Sequence, residues 1–185
     1  MKKSILSLVI FTITFLMSSE LTAQKFPKMD VSPMDAAAYP NNWKESEKLV
    51  KVVYSRPQLK GRALDKLAPK DKVWRTGANE APEITFYRDV IFGDREVKAG
   101  TYTLFTIPNE EDWTMILSNQ KNVWGSYFYD EKQDVLRVPG KVSKTKDSIE
   151  SFSIVIDWEE DEATLHLGWE KTVVSVPVVY EKLEE

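Results

Sequence analysis

Toward the end of the chain, apolar and polar side chains alternate strictly enough to restrict the backbone to one kind of structure. Phe152, Ile154, Ile156 and Trp158 alternate with Ser153 and Asp157, and Ala163, Leu165, Leu167 and Trp169 alternate with Thr164, His166 and Glu170. A period of two puts every second side chain on one face of a strand, whereas a helix would scatter the same residues around its axis. Asp157 to Glu162 supplies an acidic turn between the two runs, and Val174, Val176, Val178 and Tyr180 form one face of a final strand. Pro177 has no N–H for a ladder, so that last strand is expected at an edge or with a bulge, leaving Val173 to Tyr180 open to pairing with another protein.

Earlier segments follow the same rule. Leu49 to Ser55 is valine-rich and stops at Arg56-Pro57; Glu83 to Phe92 alternates as one strand; Thr101 to Ile107 and Trp113 to Leu117 read as a hairpin around a short acidic connection. Val123 to Tyr129 is aromatic, with Gly125 weakening it as a strand, and Asp134 to Val138 is expected to stop at Pro139-Gly140. Two helical turns are expected, one over Ser32 to Asp35 with Ser32 as N-cap and Pro33 at the first helical position, the other over Ala63 to Ala68. Eight or nine short strands without a long helix predict an all-β fold, a single jelly-roll-like β-sandwich, and no internal repeat points to a propeller or solenoid.

The N-terminus carries an address. Lys2 and Lys3 precede an apolar run from Ile5 to Met17 and a polar stretch ending at Ala23-Gln24, the pattern of a secretory signal peptide too short to span a bilayer comfortably. Cleavage near Ala23 leaves 162 of the 185 residues, exported to the periplasm or beyond, with residues 24–48 as a leader and docking segment and 49–185 as the β-sandwich domain. The mature part holds 23 basic and 28 acidic residues, obtained by removing two lysines and one glutamate from totals of 25 and 29. A net charge of minus five disfavours nucleic acid and anionic membranes as partners, and no second hydrophobic stretch reaches spanning length. The chain has no cysteine, so no disulfide staples the domain and its core must hold it.

Several separated motifs also occur together: Tyr54-Ser55-Arg56-Pro57, Gly61-Arg62, Val73 to Ala81, Ala99 to Pro108, Asp112-Trp113-Thr114, Trp124-Gly125, Asp134 to Val138 and Trp169-Glu170-Lys171. In order and spacing they resemble domain-of-unknown-function family 2911, exported bacterial proteins common in the Bacteroidetes, over about Val31 to Tyr180. The resemblance implies an exported, single β-rich domain and brings no catalytic residues with it.

Val73 to Pro82 is the stretch richest in chemistry, with an indole, a guanidinium, a hydroxyl, a carboxamide and a carboxylate around one glycine. Two readings are open. In one, the Thr76-Gly77 turn exposes backbone N–H groups and, with Trp74, Arg75, Asn79, Glu80 and the nearby Arg56 and Arg62, holds a small polar or anionic ligand or a sugar. In the other the loop is a corner, with Arg75 paired to Glu80, Asn79 bonded to its own backbone and Trp74 in the core.

His166 is the only histidine, which excludes the usual Cys/His zinc sites, and no metal or cofactor is expected. A Ser-His-Asp triad is formally open, but no Gly-x-Ser-x-Gly elbow accompanies it. Glu80 and Glu83 allow a hydrolase acting on glycans or esters, with Glu80 as acid or base. Among the tryptophans, Trp113, Trp158 and Trp169 fall on apolar faces, leaving Trp124, beside Gly125 and Tyr127, as the surface candidate for a sugar platform. The function expected is thus a non-enzymatic exported module binding a small polar or anionic ligand or a carbohydrate, with a hydrolase and an edge-pairing envelope protein as alternatives.

Overall fold

The computed structural model describes residues 24–159 and 162–180, so residues 1–23, where a signal peptide is expected, and part of the acidic turn after Asp157 lie outside the described residues. Nine strands pair in one antiparallel sheet: β1 (Met34–Tyr39), β2 (Val50–Ser55), β3 (Glu83–Phe86), β4 (Val90–Phe92), β5 (Arg95–Val97), β6 (Gly100–Ile107), β7 (Asp112–Ser118), β8 (Asp134–Glu159) and β9 (Glu162–Tyr180). A single helical turn, α1 (Leu64–Leu67), falls within the segment expected to hold one. The all-β class and strand number are those expected, and hydrogen bonding joins all nine strands in the order β1-β2-β3-β6-β7-β8-β9-β4-β5. Among the described residues no helix is long and apolar enough to cross a membrane.

That order forces the sheet to curl. β3 and β4 are separated by residues 87–89 alone, yet five strand-to-strand steps lie between them in the sheet. On a flat sheet those steps cover about 24 Å, whereas the chain from Phe86 to Val90 reaches at most about 14 Å. The sheet therefore bends over until its two regions face each other, with the Phe86 and Phe92 rings 5.9 Å apart between them. Glu83 to Phe92 is accordingly two strands. Asp89 makes the break by accepting the Ala99 N–H at 2.8 Å and binding the Lys98 ammonium at 2.7 Å.

The core fills the curl. Trp74, buried to 5% exposure, stacks on Trp169 at 5.6 Å and meets Phe152 and Trp113 edge-on at 5.4 and 6.0 Å. Tyr54 packs edge-on against Phe152, and its hydroxyl accepts the Ile154 N–H at 3.0 Å, tying β2 to β8. At the rim, Trp158 lies between Tyr39 and Tyr180. A smaller cluster of Ala81, Phe105, Ile116 and Val123 sits apart from this core and is joined by Tyr129. Consecutive residues of β6 consequently serve different clusters, Leu104 the main one and Phe105 the smaller one.

Some local expectations are corrected. Ser32 to Asp35 is not a helical turn: Met34–Tyr39 pairs with Ser55–Val50 along six positions. A lone helical turn gains little by itself, while the ladder satisfies the backbone and places Asp35 2.9 Å from Arg56. β8 does not stop at Pro139-Gly140 but runs on to Glu159. The β8–β9 ladder reaches only Lys141↔Ser175, and the same register would set Pro139 opposite Pro177, where neither residue has an N–H to give. β9 is no sheet edge either, because β8 flanks it at residues 172–175 and β4 at residues 178–180. Pro177 keeps its carbonyl in use by accepting the Gly93 N–H at 2.8 Å.

β9 also contains a switch of face. Ala163, Leu165, Leu167 and Trp169 are buried at odd positions, and Thr172, Val174, Val176 and Val178 at even ones. Glu170 sits at the changeover with φ +53, a left-handed conformation, opposite the irregular part of β8, where the register shifts on either side of Ile149 and the extra residues belong to β8.

Candidate functional site

The segment Val73 to Pro82 lies along the edge of β6. Trp74 and Thr106 exchange backbone hydrogen bonds at 2.7 and 3.0 Å, and Leu104 N–H donates to the Pro82 carbonyl. Thr76 is fully buried at φ +55, and its hydroxyl donates to Trp74 O and Thr106 Oγ1 at 3.3 and 3.1 Å. A Cβ on Gly77 would stand 3.0 Å from the Ser55 carbonyl, so that glycine permits the close approach of β2. The Thr76-Gly77 turn is thus buried against β2 and β6 and does not present its backbone to solvent.

The other sequence-selected residues do not gather around one ligand-sized space. The Arg56 guanidinium binds Asp35, donates to Phe152 O at 3.1 Å and to Ser153 Oγ at 2.8 Å, clasping β1 to β8. Arg62 donates to the carbonyls of Leu59 and Gln58 at 2.9 and 2.7 Å, closing its own turn. Arg75 is not paired with Glu80, and its buried Nε has no hydrogen-bond partner. Asn79, at φ +59, uses its carbonyl to accept the Gly125 N–H. Glu80 is exposed and forms a bridge with Trp124; it lines a cleft of about 190 Å3 with Met34, Tyr54, Glu83 and Asn122.

A cleft of about 400 Å3 opens elsewhere, and none of the eight residues singled out in the sequence lines it. Its walls come from four places: α1 (Ala63, Leu64, Asp65, with Ala68 following), Lys70, the β6–β7 turn (Pro108, Asn109, Glu110), and the β8–β9 bulge (Lys144, Glu170, Thr172). Trp113 contributes its floor. Asp71 N–H donates to Pro108 O, Asn109 Nδ2 donates to Asp71, and the Lys70 ammonium lies 2.9 Å from Glu110, fixing two of these walls together. The others are joined where β8 and β9 pair Lys144 directly with Thr172, just before the register shifts, and Lys144 Nζ donates to Thr172 Oγ1 at 3.0 Å.

The electrostatics of this cleft suit binding better than proton transfer. The hydrogen bond from Lys70 holds the Glu110 carboxyl below its usual value, and the same bond holds Lys70 above the ordinary lysine value. Glu110 therefore stays an anion and Lys70 a cation near neutrality, so neither is an acid or base poised for catalysis. Lys144 differs from Lys70, because its partner is a neutral hydroxyl and among the described residues it forms no ion pair. Such a positive group beside an indole floor can receive a carboxylate or phosphate oxygen.

Comparison with known proteins yields one match, the model of the DUF2911 family, described as a protein of unknown function, over residues 32–178. The chain belongs to the DUF2911 family. The matched span includes both clefts, the Trp74 core and all the sequence-selected residues. The chain matches no curated protein and no solved structure.

The sole histidine also enters a constellation. His166 Nδ1 lies 2.8 Å from Ser175 Oγ, and its Nε2 is 3.8 Å from an Asp157 carboxylate oxygen. The carboxylate is beyond hydrogen-bond reach, and neither cleft described above includes any of the three residues. The interaction joins residues on either side of Glu170, which gives it a structural use.

Proposed function

We propose that this member of the DUF2911 family is an exported binding module whose 400 Å3 cleft receives a small anionic or zwitterionic molecule. The observation that carries the proposal is Lys144, held by Thr172 at the mouth of a cleft floored by Trp113 and forming no ion pair with a carboxylate among the described residues. A ligand carboxylate or phosphate would take the Lys144 ammonium. Its apolar part would lie against Trp113, Leu64 and Pro108, and Asn109 would offer both a donor and an acceptor. Glu170 and Asp65 could receive a ligand ammonium, which favours a zwitterion over a polyanion. The volume fits the lower range of small-molecule pockets, which run from about 300 to 1,000 Å3.

Export supplies the setting: the lysine pair, apolar run and Ala23 direct the mature chain out of the cytoplasm, where it meets small solutes. Calorimetric titration of the mature protein with a panel of amino acids, sugar acids and sugar phosphates tests the proposal. Binding by at least one panel member, weakened on Lys144→Ala with the fold intact, is expected. Binding that is indifferent to Lys144 would remove the cleft as the site.

A further inference from the structure

Three large aromatic side chains stand in solvent within five residues: Trp124 is 53% exposed, Tyr127 80% and Phe128 73%. Their loop is tightly held. Gln120 clamps it from one end, donating to Phe128 O at 2.8 Å while its carbonyl accepts the Asp130 N–H at 2.9 Å. Gly125 N–H donates to Asn79 O, and Ala81 N–H donates to Val123 O. Tyr129 anchors the far side, its ring 5.0 Å from Phe105 and its hydroxyl donating to Asp134 at 2.6 Å. At Gly125, φ is +67 and a Cβ would meet the Tyr127 ring at 2.7 Å, so the ring lies directly over the glycine.

One contact gives this aromatic group its chemistry. Glu80 and Trp124 form an antiparallel bridge, and directly paired residues project their side chains to the same side. A carboxylate thus accompanies the indole, and Glu80 leads into the 190 Å3 notch that Glu83 and Asn122 also line. We propose that the loop from Trp124 to Phe128, together with Glu80, is a platform for an uncharged polysaccharide chain. Pyranose rings have apolar C–H faces that stack on aromatic rings, and their hydroxyls donate to a carboxylate at the ring edge. An apolar protein surface or lipid covering Trp124 would instead strip water from Glu80 without replacing its hydrogen bonds, which is costly. Glu80 beside the Trp124 indole disfavours polyanionic glycans and anionic membranes. The platform shares no residue with the Lys144 cleft, so it stands or falls independently of the function proposed there.

Affinity electrophoresis of the full mature chain through native gels containing mixed-linkage β-glucan, xylan or galactomannan, with dextran sulfate as a charged comparison, tests this. Retardation is expected in at least one neutral polymer and not in dextran sulfate. Trp124→Ala and Tyr127→Ala should each weaken retention at least about tenfold, as expected when an aromatic anchor is removed. Both side chains are exposed, so the variants should melt as the parent does, and Lys144→Ala should leave retention unchanged. Passage through all three neutral gels without retardation would overturn the proposal, as would retention that survives Trp124→Ala combined with Tyr127→Ala. Co-sedimentation with phosphatidylcholine vesicles that is lost on Trp124→Ala would overturn it in favour of a lipid surface.

Discussion

Replacing Trp74 with alanine separates a structural corner from a ligand-facing loop. The indole is 5% exposed, stacks on Trp169 and meets Phe152 and Trp113 edge-on. Removing a buried tryptophan costs about 3–5 kcal/mol through lost transfer energy and the cavity left behind, and the aromatic contacts push the cost toward the upper end. A domain in the middle or upper part of the typical range of about 5–15 kcal/mol survives that loss in dilute buffer. With a urea dependence of about 2 kcal/mol per molar, the midpoint should fall by roughly 2 M. Urea titration followed by far-ultraviolet circular dichroism measures the shift. Trp124→Ala is the control, with a change within about 0.5 kcal/mol expected for an exposed side chain. A Trp74→Ala protein that unfolds at the parental urea concentration would refute the core assignment and return the loop to the candidate binding residues.

Tyr180 has a buried hydroxyl without a hydrogen-bond partner, and burial raises its ionisation above the ordinary tyrosine value. Tyr180→Phe should therefore be about 1 kcal/mol more stable by thermal or urea unfolding. Burial, then the hydrogen bond to Asp134, also raises Tyr129. A pKa raised by folding means that the unfolded chain loses the phenolic proton first, so stability present below about pH 10 should decline as pH rises past it; urea midpoints for Tyr129→Phe and Tyr180→Phe should show a shallower decline. Arg56→Lys should cost about 1–2 kcal/mol by losing the fork to Phe152 and Ser153, while the Asp35 pair contributes little because both partners are more than a third exposed; ligand titration of the cleft should be unchanged. Ser175 should resist a fluorophosphonate probe, since Asp157 lies beyond hydrogen-bond distance of His166; stoichiometric labelling at Ser175 would establish a reactive serine.

What could be read from the sequence was governed by how local its cause is. The burial of Phe152, Ile154 and Ile156, of Leu165 and Leu167, and of Val174, Val176 and Val178 follows from alternation alone. Trp113 and Trp169 lie in the core and Trp124 lies at the surface, as their positions in the pattern implied. The strand at Met34–Tyr39 was obscured because its cause is the distant partner β2, while Ser32-Pro33 locally favours a helical start. Pro139 and Pro177 looked like strand ends because the missing donors are visible in sequence but the gap they share across β8 and β9 is not. The 400 Å3 cleft left almost no local signal, since Leu64, Glu110, Lys144 and Glu170 come from separate segments. Its one trace is the change from odd to even apolar positions between Trp169 and Val174, which marks the irregular stretch of the β8–β9 ladder next to the Lys144–Thr172 pair.

The most direct measurement of the proposed function is heteronuclear NMR of the mature protein titrated with the amino acids, sugar acids and sugar phosphates. Saturable shifts centred on Asn109, Trp113 and Thr172, together with the Lys144 side chain, are expected for at least one compound and should require higher ligand concentration in Lys144→Ala. A full titration of the panel that leaves these resonances unmoved, or moves only those of other surfaces, would contradict the assignment of the cleft as a binding site.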